Sequence, residues 1–332
     1  MSEVSAATGK MLGLSMLRGI GPAKLRQAAK LPNFETQSID TLASLIPAVA
    51  KALEGDSWDR ALEQAEAQVE QAATANARIL SPLDPDYPSL LAKTKDDPFL
   101  LFVKGKLAPA PEKSVAIIGT REPTPHGRVI AERITQFFVG EGWSVVSGLA
   151  LGCDAVAHQA AIDANGHTVA VLAHGLQTIA PTQHRQLADD ILASGGALVS
   201  EFLFGRGPIP QQFVRRDRTQ AGMAQGVVMV QSDLKGGSLH ASRAALDYGR
   251  WLAVPYPTEK DRAADEPKIQ ANLTLADGSV SERMDLLHLK VPGAMSKLVV
   301  LKTKDDYRAC LAQSQRKPSE SGPSSASQPS MF

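Results

Sequence analysis

Gly119-Thr120-Arg121 follows the apolar run Val115-Ala116-Ile117-Ile118 without a break, and Ser147-Gly148 follows Val145-Val146 in the same way. A parallel strand that ends in small residues before a helix leaves backbone N–H groups unpaired at its carboxyl edge, where they can hold phosphate. An arginine in such a turn adds an anion donor able to grip with two N–H groups. Lys235-Gly236-Gly237-Ser238 sets another cation beside small residues. The densest basic run is Phe213-Val214-Arg215-Arg216-Asp217-Arg218. Three guanidiniums beside an aromatic ring suit an unpaired polynucleotide, whose phosphates take arginine and whose bases stack on rings. The competing readings stay open: an ion-paired helical face for the basic run, since Asp217 can neutralise one arginine, and close helix packing for the glycines.

Other chemistry is poorly served. No G-x-G-x-x-G follows the first strand and no G-x-x-x-x-G-K-[ST] occurs, which disfavours a dinucleotide dehydrogenase and a P-loop hydrolase. The seven histidines are scattered, without a metal-ligand spacing. Asp154 and His158 lie four apart and share a helical face. We read Asp154 as a helix cap and His158 as satisfied within its own turn. Ser147-Gly148 and Gly237-Ser238 lack the G-x-S-x-G elbow and a partner base. No catalytic residue, metal or cofactor is expected.

The elements that must position these groups follow from the pattern. Short apolar runs at 115–119, 144–147, 168–173, 197–200, 227–231 and 252–254 alternate with helical stretches of crossover length. This predicts βαβ units and a mainly parallel, doubly wound sheet covered on both faces. Ligands of such sheets sit beyond the carboxyl ends of the strands, where the small-residue turns converge. Residues 1–76 read as a small alanine-rich helical domain, interrupted by Leu17-Arg18-Gly19-Ile20-Gly21-Pro22, a turn similar to the hairpin of helix-hairpin-helix modules. A plain interhelical turn is the competing reading. Residues 77–112, with Pro82, Pro85, Pro88 and Pro98, read as a connector packing on the main domain at 113–290. Residues 291–332 read as an extension and a serine-rich, disordered tail, and a further helix is expected over 269–276.

Composition adds limits. The chain has 332 residues, with 35 acidic and 35 basic side chains, so no global field draws it to nucleic acid or membrane, and any such contact needs a local cluster. Its two cysteines, Cys153 and Cys310, suggest a reducing compartment. No signal segment or apolar run near the ~20 residues of a membrane span is visible, so a cytoplasmic protein is expected.

Taken in order, the motifs resemble the DprA/Smf family of DNA-processing proteins. The resemblance covers about 82–287. It rests on Asp86-Tyr87-Pro88, Asp97-Pro98, the 115–121 run, Ser147-Gly148-Leu149-Ala150-Leu151-Gly152-Cys153-Asp154, Leu198-Val199-Ser200-Glu201-Phe202, the 213–222 segment, Gly237-Ser238-Leu239 and Tyr248-Gly249-Arg250. It implies an extended Rossmann-like domain with a small N-terminal all-helical domain. Such a protein binds single-stranded DNA without cutting it, protects incoming strands in natural transformation, loads a RecA-type recombinase and forms a homodimer. Matching positions would place in the DNA pocket Gly119, Thr120 and Arg121, the Ser147-Gly148 turn, Phe213, Arg215, Arg216 and Arg218, and Gly237-Ser238. Lys235 and Arg185 are further candidates on loops at the same edge.

The chain departs from the family pattern at several places. Arg216-Asp217-Arg218 stands for R-N-R, Gln231 for an acidic residue, Ala180-Pro181 for Y-P and Ala241 for a threonine. We also expect no C-terminal winged helix. An alternative of another class is a nucleotide sensor or nucleotide-processing enzyme on a related fold, although Lys235-Gly236-Gly237-Ser238-Leu239-His240 lacks the proline and glutamate of that signature. A protein-docking scaffold is a third reading.

Overall fold

Runs of Val, Ile, Leu and Ala four or five residues long, bounded by glycine or serine, become strands here because they are buried on both faces. The computed structural model describes residues 4–53 and 57–315. Its nine strands are β1 Ala77–Leu80, β2 Leu101–Gly105, β3 Ser114–Ile118, β4 Ser144–Ser147, β5 Thr168–Leu172, β6 Ala197–Ser200, β7 Gly226–Met229, β8 Trp251–Pro255 and β9 Leu298–Leu301. They form one sheet in the order β1-β2-β6-β5-β4-β3-β7-β8-β9. From β6 to β9 every neighbour is parallel, while β2 pairs antiparallel with both β6 and β1. The chain walks from β3 outward to β6, then returns to lay β7 on the other side of β3. That reversal opens a crevice between the carboxyl ends of β3 and β7.

Helices cover both faces. Five lie N-terminal to the sheet: α1 Ala6–Met16, α2 Pro22–Ala29, α3 Ile39–Leu45, α4 Pro47–Ala52 and α5 Ser57–Thr74. The others are α6 Ser89–Ala92, α7 Pro125–Gly140, α8 Cys153–Asp163, α9 Arg185–Ala193, α10 Pro210–Gly222, α11 Ser238–Asp247, α12 Glu259–Ala263, α13 Gln270–Asp277, α14 Val280–Leu287 and α15 Tyr307–Gln315. Along β3 the side chains alternate, as the two-residue period of a strand requires. Val115 and Ile117 join Ile134 and Phe138 of α7 and Ala157 of α8, whereas Ala116 and Ile118 join Ala221 of α10, Ala245 of α11 and Leu275 of α13. The N-terminal helices share a continuous core with Ile79, Phe102, Leu172 and Leu198, and Thr8 and Ser5 bond Asp84 across the junction.

The connector reading of 77–112 needs correction, since the segment delivers two strands. Pro82, Pro85, Pro88 and Pro98 lie between β1 and β2, and Pro109 and Pro111 after β2, so neither ladder loses a donor. Residues 291–332 likewise hold more order than expected: they contribute β9 and α15, and Trp251 of β8 donates to Ser314 across 2.8 Å. Helix α15 runs to Gln315, and the remaining tail lies outside the described residues.

Candidate functional site

A cleft of about 370 Å³ opens at the switch point. The turn after β3 supplies one wall, with Gly119, Thr120 and Arg121. The loop after β7, from Ser232 to Ser238, supplies the opposite one. Phe213, Arg216, Asp217 and Gln220 form a stripe along one face of α10, at the three-to-four spacing of a helix, and Lys268 reaches in from a short 3₁₀ turn.

Each wall is locally determined. Thr120 donates its N–H to the carbonyl of Gln231 at 2.8 Å, and its own carbonyl accepts from Cys153 N–H at 3.1 Å, so the turn is clamped between β7 and α8. A Cβ on Gly152, at φ +75°, would strike the backbone of Thr120 and Arg121. In the opposite loop Asp233 accepts from Lys235 N–H at 2.8 Å through its carboxylate and from Gly236 N–H at 3.2 Å through its carbonyl, a local Asx turn. Helix α11 then starts without a side-chain cap. Among the described residues the N–H groups of Gly237 and Ser238 have no acceptor, and they lie at the positive end of the helix dipole on the cleft wall.

Charge is distributed unevenly between floor and rim. Arg216 is buried and donates to the carbonyl of Val171 at 3.3 Å. It lies between Asp217 at 3.1 Å and Asp154 at 3.7 Å. Burial raises both carboxyls above their usual range, and Asp217 is pushed up to about 6, with Arg216 pulling it down and Asp154 pushing it up. Arg121 is exposed and sits over the Phe213 ring at 5.5 Å, with Arg216 at 5.8 Å from the same ring. Lys235 is exposed, and Lys268 pairs with Glu122 at 3.5 Å. The rim is therefore cationic, and the floor arginine is compensated.

Of the residues expected from sequence, the cleft brings together Gly119, Thr120, Arg121, Phe213, Arg216, Lys235, Gly237 and Ser238. The others lie elsewhere. Ser147 is buried and donates to the carbonyl of Ile117 at 2.6 Å, and Gly148 lies beneath the floor, donating to Asp154 at 3.1 Å. Arg215 turns to Glu201 at 2.7 Å and Arg218 to Asp96 at 3.8 Å, both away from the cleft, because successive residues of a helix point about 100° apart. Arg185 opens α9 and does not line the cleft.

Two further readings change. Asp154 does not cap α8: Gly152 holds that position, and the carboxylate folds back onto Gly148, Ala150 and Arg216. His158 is bonded across to β5. The Thr168 hydroxyl donates to Val145 at 2.9 Å, so the imidazole Nδ1 is the donor in its 2.7 Å bond to Thr168, and burial lowers the histidine to about 3. Gln231 faces away from the cleft. Its amide accepts from Thr124 N–H at 3.0 Å and donates to Thr124 Oγ1 at 2.9 Å, bracing the start of α7.

Sequence reasoning missed Lys268, Gln220 and Asp233. Lys268 carried no signal, since only the chain path after β8 brings it to the rim. Gln220 was legible in principle, seven residues after Phe213 on the same helical face. Among the described residues no group of three or more His, Cys, Asp or Glu is placed to hold a metal, and no helix is long and apolar enough to cross a membrane.

The fold is an open, doubly wound α/β sheet, with an uncapped helix start and the cations Arg121, Lys235 and Lys268 at its switch point. The model of the family described as DNA recombination-mediator protein A matches residues 78–277, and the chain belongs to that family. It is 41% identical over 180 residues to protein Smf of Escherichia coli K12, covering 54% of this chain and 48% of that one. With DNA processing protein DprA of Bacillus subtilis it shares 39% identity over 171 residues, covering 51% and 57%. The chain thus spans about half the length of these relatives. The X-ray structure of DNA processing protein A from Streptococcus pneumoniae superposes with a TM-score of 0.64 at 23% identity, covering 92% of this chain and 98% of that one, so the fold is shared.

Proposed function

We propose that the chain binds single-stranded DNA in the switch-point cleft and acts in DNA processing during transformation or recombination, without cutting the strand. The carrying observation is that Gly237 and Ser238, whose N–H groups have no acceptor among the described residues, line one cleft with Arg121, Lys235 and Lys268. Phosphate oxygens would take the N–H groups and cations, and a base would stack on Phe213 or on the Arg121 guanidinium beside it. Membership of a family described as recombination mediators, and relatives named DNA processing proteins, support the same reading. A binding role rather than a catalytic one is supported by the state of the nearby reactive groups. The Cys153 thiol, which burial raises to about 12, and His158, buried and bonded to Thr168, do not line the cleft. We further propose a cytoplasmic homodimer that hands its strand to a RecA-type recombinase.

Titration of oligo-dT by fluorescence anisotropy over a salt series tests the proposal. Affinity should fall with salt at a slope of ~0.7 per neutralised phosphate. Arg121→Ala/Lys235→Ala should bind at least tenfold more weakly, by roughly 1.4 kcal/mol or more. Salt-independent binding, or a double variant that binds as the parent does, would overturn it. Released nucleotide or base after incubation would favour the enzymatic alternative.

A further inference from the structure

We infer that a second cationic track leaves the cleft along α11, passes over the outer face of α10 and ends beside the α1–α2 hairpin, where it carries the backbone of a longer single strand. The inference rests on the cleft reading above and extends it to residues that the cleft does not use.

Arg215 and Arg218, which turn away from the cleft, do not dissolve into solvent. Two adjoining hollows, of about 180 and 240 Å³, share Lys95, Asp96 and Arg218. The first also takes His240 and Arg243 from α11, the helix whose start lines the cleft. The second adds Arg26 and Arg215 and reaches Pro22 and Ala23 at the start of α2.

Every cation here has a carboxylate partner, yet the partners are not equally exposed. The side chains of Lys95, Arg215, Arg218, Arg243 and Arg26 are 64, 53, 48, 41 and 32% exposed, whereas those of Asp97, Glu201, Asp247 and Asp96 are 1, 5, 27 and 30%. Asp97 and Glu201 are buried and Asp96 and Asp247 half-buried, so in each pair the cation is more exposed than the carboxylate that holds it. A planar guanidinium held on one edge still offers donors on the other, which suits a row of phosphates.

A nucleic-acid backbone fits this track better than an acidic protein does. Protein interfaces centre on aromatic and large aliphatic anchors. Neither hollow is lined by Phe, Tyr, Trp, Leu, Ile, Val or Met. The track also begins on the helix that ends the cleft, as a continuous strand requires. At its far end Gly19 and Gly21 have open space where a Cβ would stand, so a backbone can approach the hairpin closely.

The test is a length series of oligo-dT, of roughly six and roughly twenty-five nucleotides, below and above the site size of one groove. The variant is Arg218→Gln/Arg243→Gln, which leaves Asp96 bonded to Tyr248 and Asp247 paired with Lys95, the more exposed carboxylates thus keeping a partner. Lys95→Gln, at the most exposed cation, serves as an independent variant if the double one unfolds. For the double variant we expect short-strand affinity within about twofold of the parent and a long-strand loss of about five- to twentyfold. Its salt slope on the long strand should drop by ~1.4, for two phosphates. Lys95→Gln should show a smaller loss confined to the long strand. Undiminished long-strand affinity, as for a track that serves an acidic protein, would overturn the inference, and so would equal losses at both lengths. A parent chain that binds neither length would instead remove the cleft reading itself.

Discussion

The Arg216 guanidinium occupies the space that a Cβ on residue 148 would need, and the Gln220 amide crowds the same point. Gly148 thereby lets the floor arginine lie flat under the cleft, between Asp154 and Asp217. Gly148→Ala must displace the guanidinium or the β4 turn. We expect a loss of about 1–3 kcal/mol, the usual cost of overpacking a closed site, and weaker oligo-dT binding as Arg216 leaves Phe213. Thermal melting and anisotropy check both, and an unchanged melting curve would show that the arginine is not fixed by its neighbours.

Asp217 gives the cleft a pH dependence of defined sign. Its carboxyl is raised from 3.8 to about 6, so the folded chain holds a proton there that the unfolded chain has released. The stability from this group is complete below about pH 3.8 and is lost as pH rises through about 6. Burial shifts Asp154 in the same direction. An ionised Asp217 also repels phosphate, so oligonucleotide affinity should climb as pH falls through about 6. Asp217→Asn should flatten that climb and bind about three- to tenfold more tightly at pH 7, the ~1 kcal/mol expected of one half-screened charge. A variant with the parent's pH profile would place the dependence elsewhere.

How much of this was legible in the sequence follows from what each residue's environment leaves in its neighbours. The central strands were readable because a parallel strand buried on both faces is an unbroken apolar run, and β3 to β8 fall where expected. Strands β1 and β2 were hidden by prolines on either side, and their antiparallel pairing is a property of the partner, not of four or five residues. In the site, Gly119-Thr120-Arg121 and Lys235-Gly236-Gly237-Ser238 could be found because small residues after a strand mark its carboxyl edge. Arg215, Arg216 and Arg218 looked like one cluster because adjacency in sequence is not adjacency around a helix. Only Arg216 shares the face of Phe213.

Gln231, where the family pattern has an acidic residue, is a brace rather than a ligand. Its amide donates to Thr124 at 2.9 Å and faces Asp261 at 3.5 Å. Gln231→Glu sets two carboxylates against each other and removes a buried donor. We expect a loss of about 1–3 kcal/mol at pH 7, partly recovered in mild acid as the new carboxyl takes a proton. Oligonucleotide affinity of the folded variant should match the parent's, because the side chain points away from the cleft. A selective loss of affinity without a loss of stability would reverse this assignment.

Gly237 separates folding from binding most cleanly. Its backbone is right-handed, at φ −58° and ψ −30°, and a Cβ added there meets nothing within 4 Å. Neither torsion nor space in the chain itself therefore calls for glycine. Gly237→Ala should leave stability within about 0.5 kcal/mol of the parent, since reduced freedom of the unfolded chain offsets the weaker helix start. If a phosphate sits on the N–H groups of Gly237 and Ser238, the new methyl stands in the path of the backbone that must approach them. Affinity for oligo-dT should then fall several-fold while the melting curve stays in place. Parent-like binding by this variant would mean that the strand does not touch the start of α11, and the phosphate site would have to be sought at Arg121 alone.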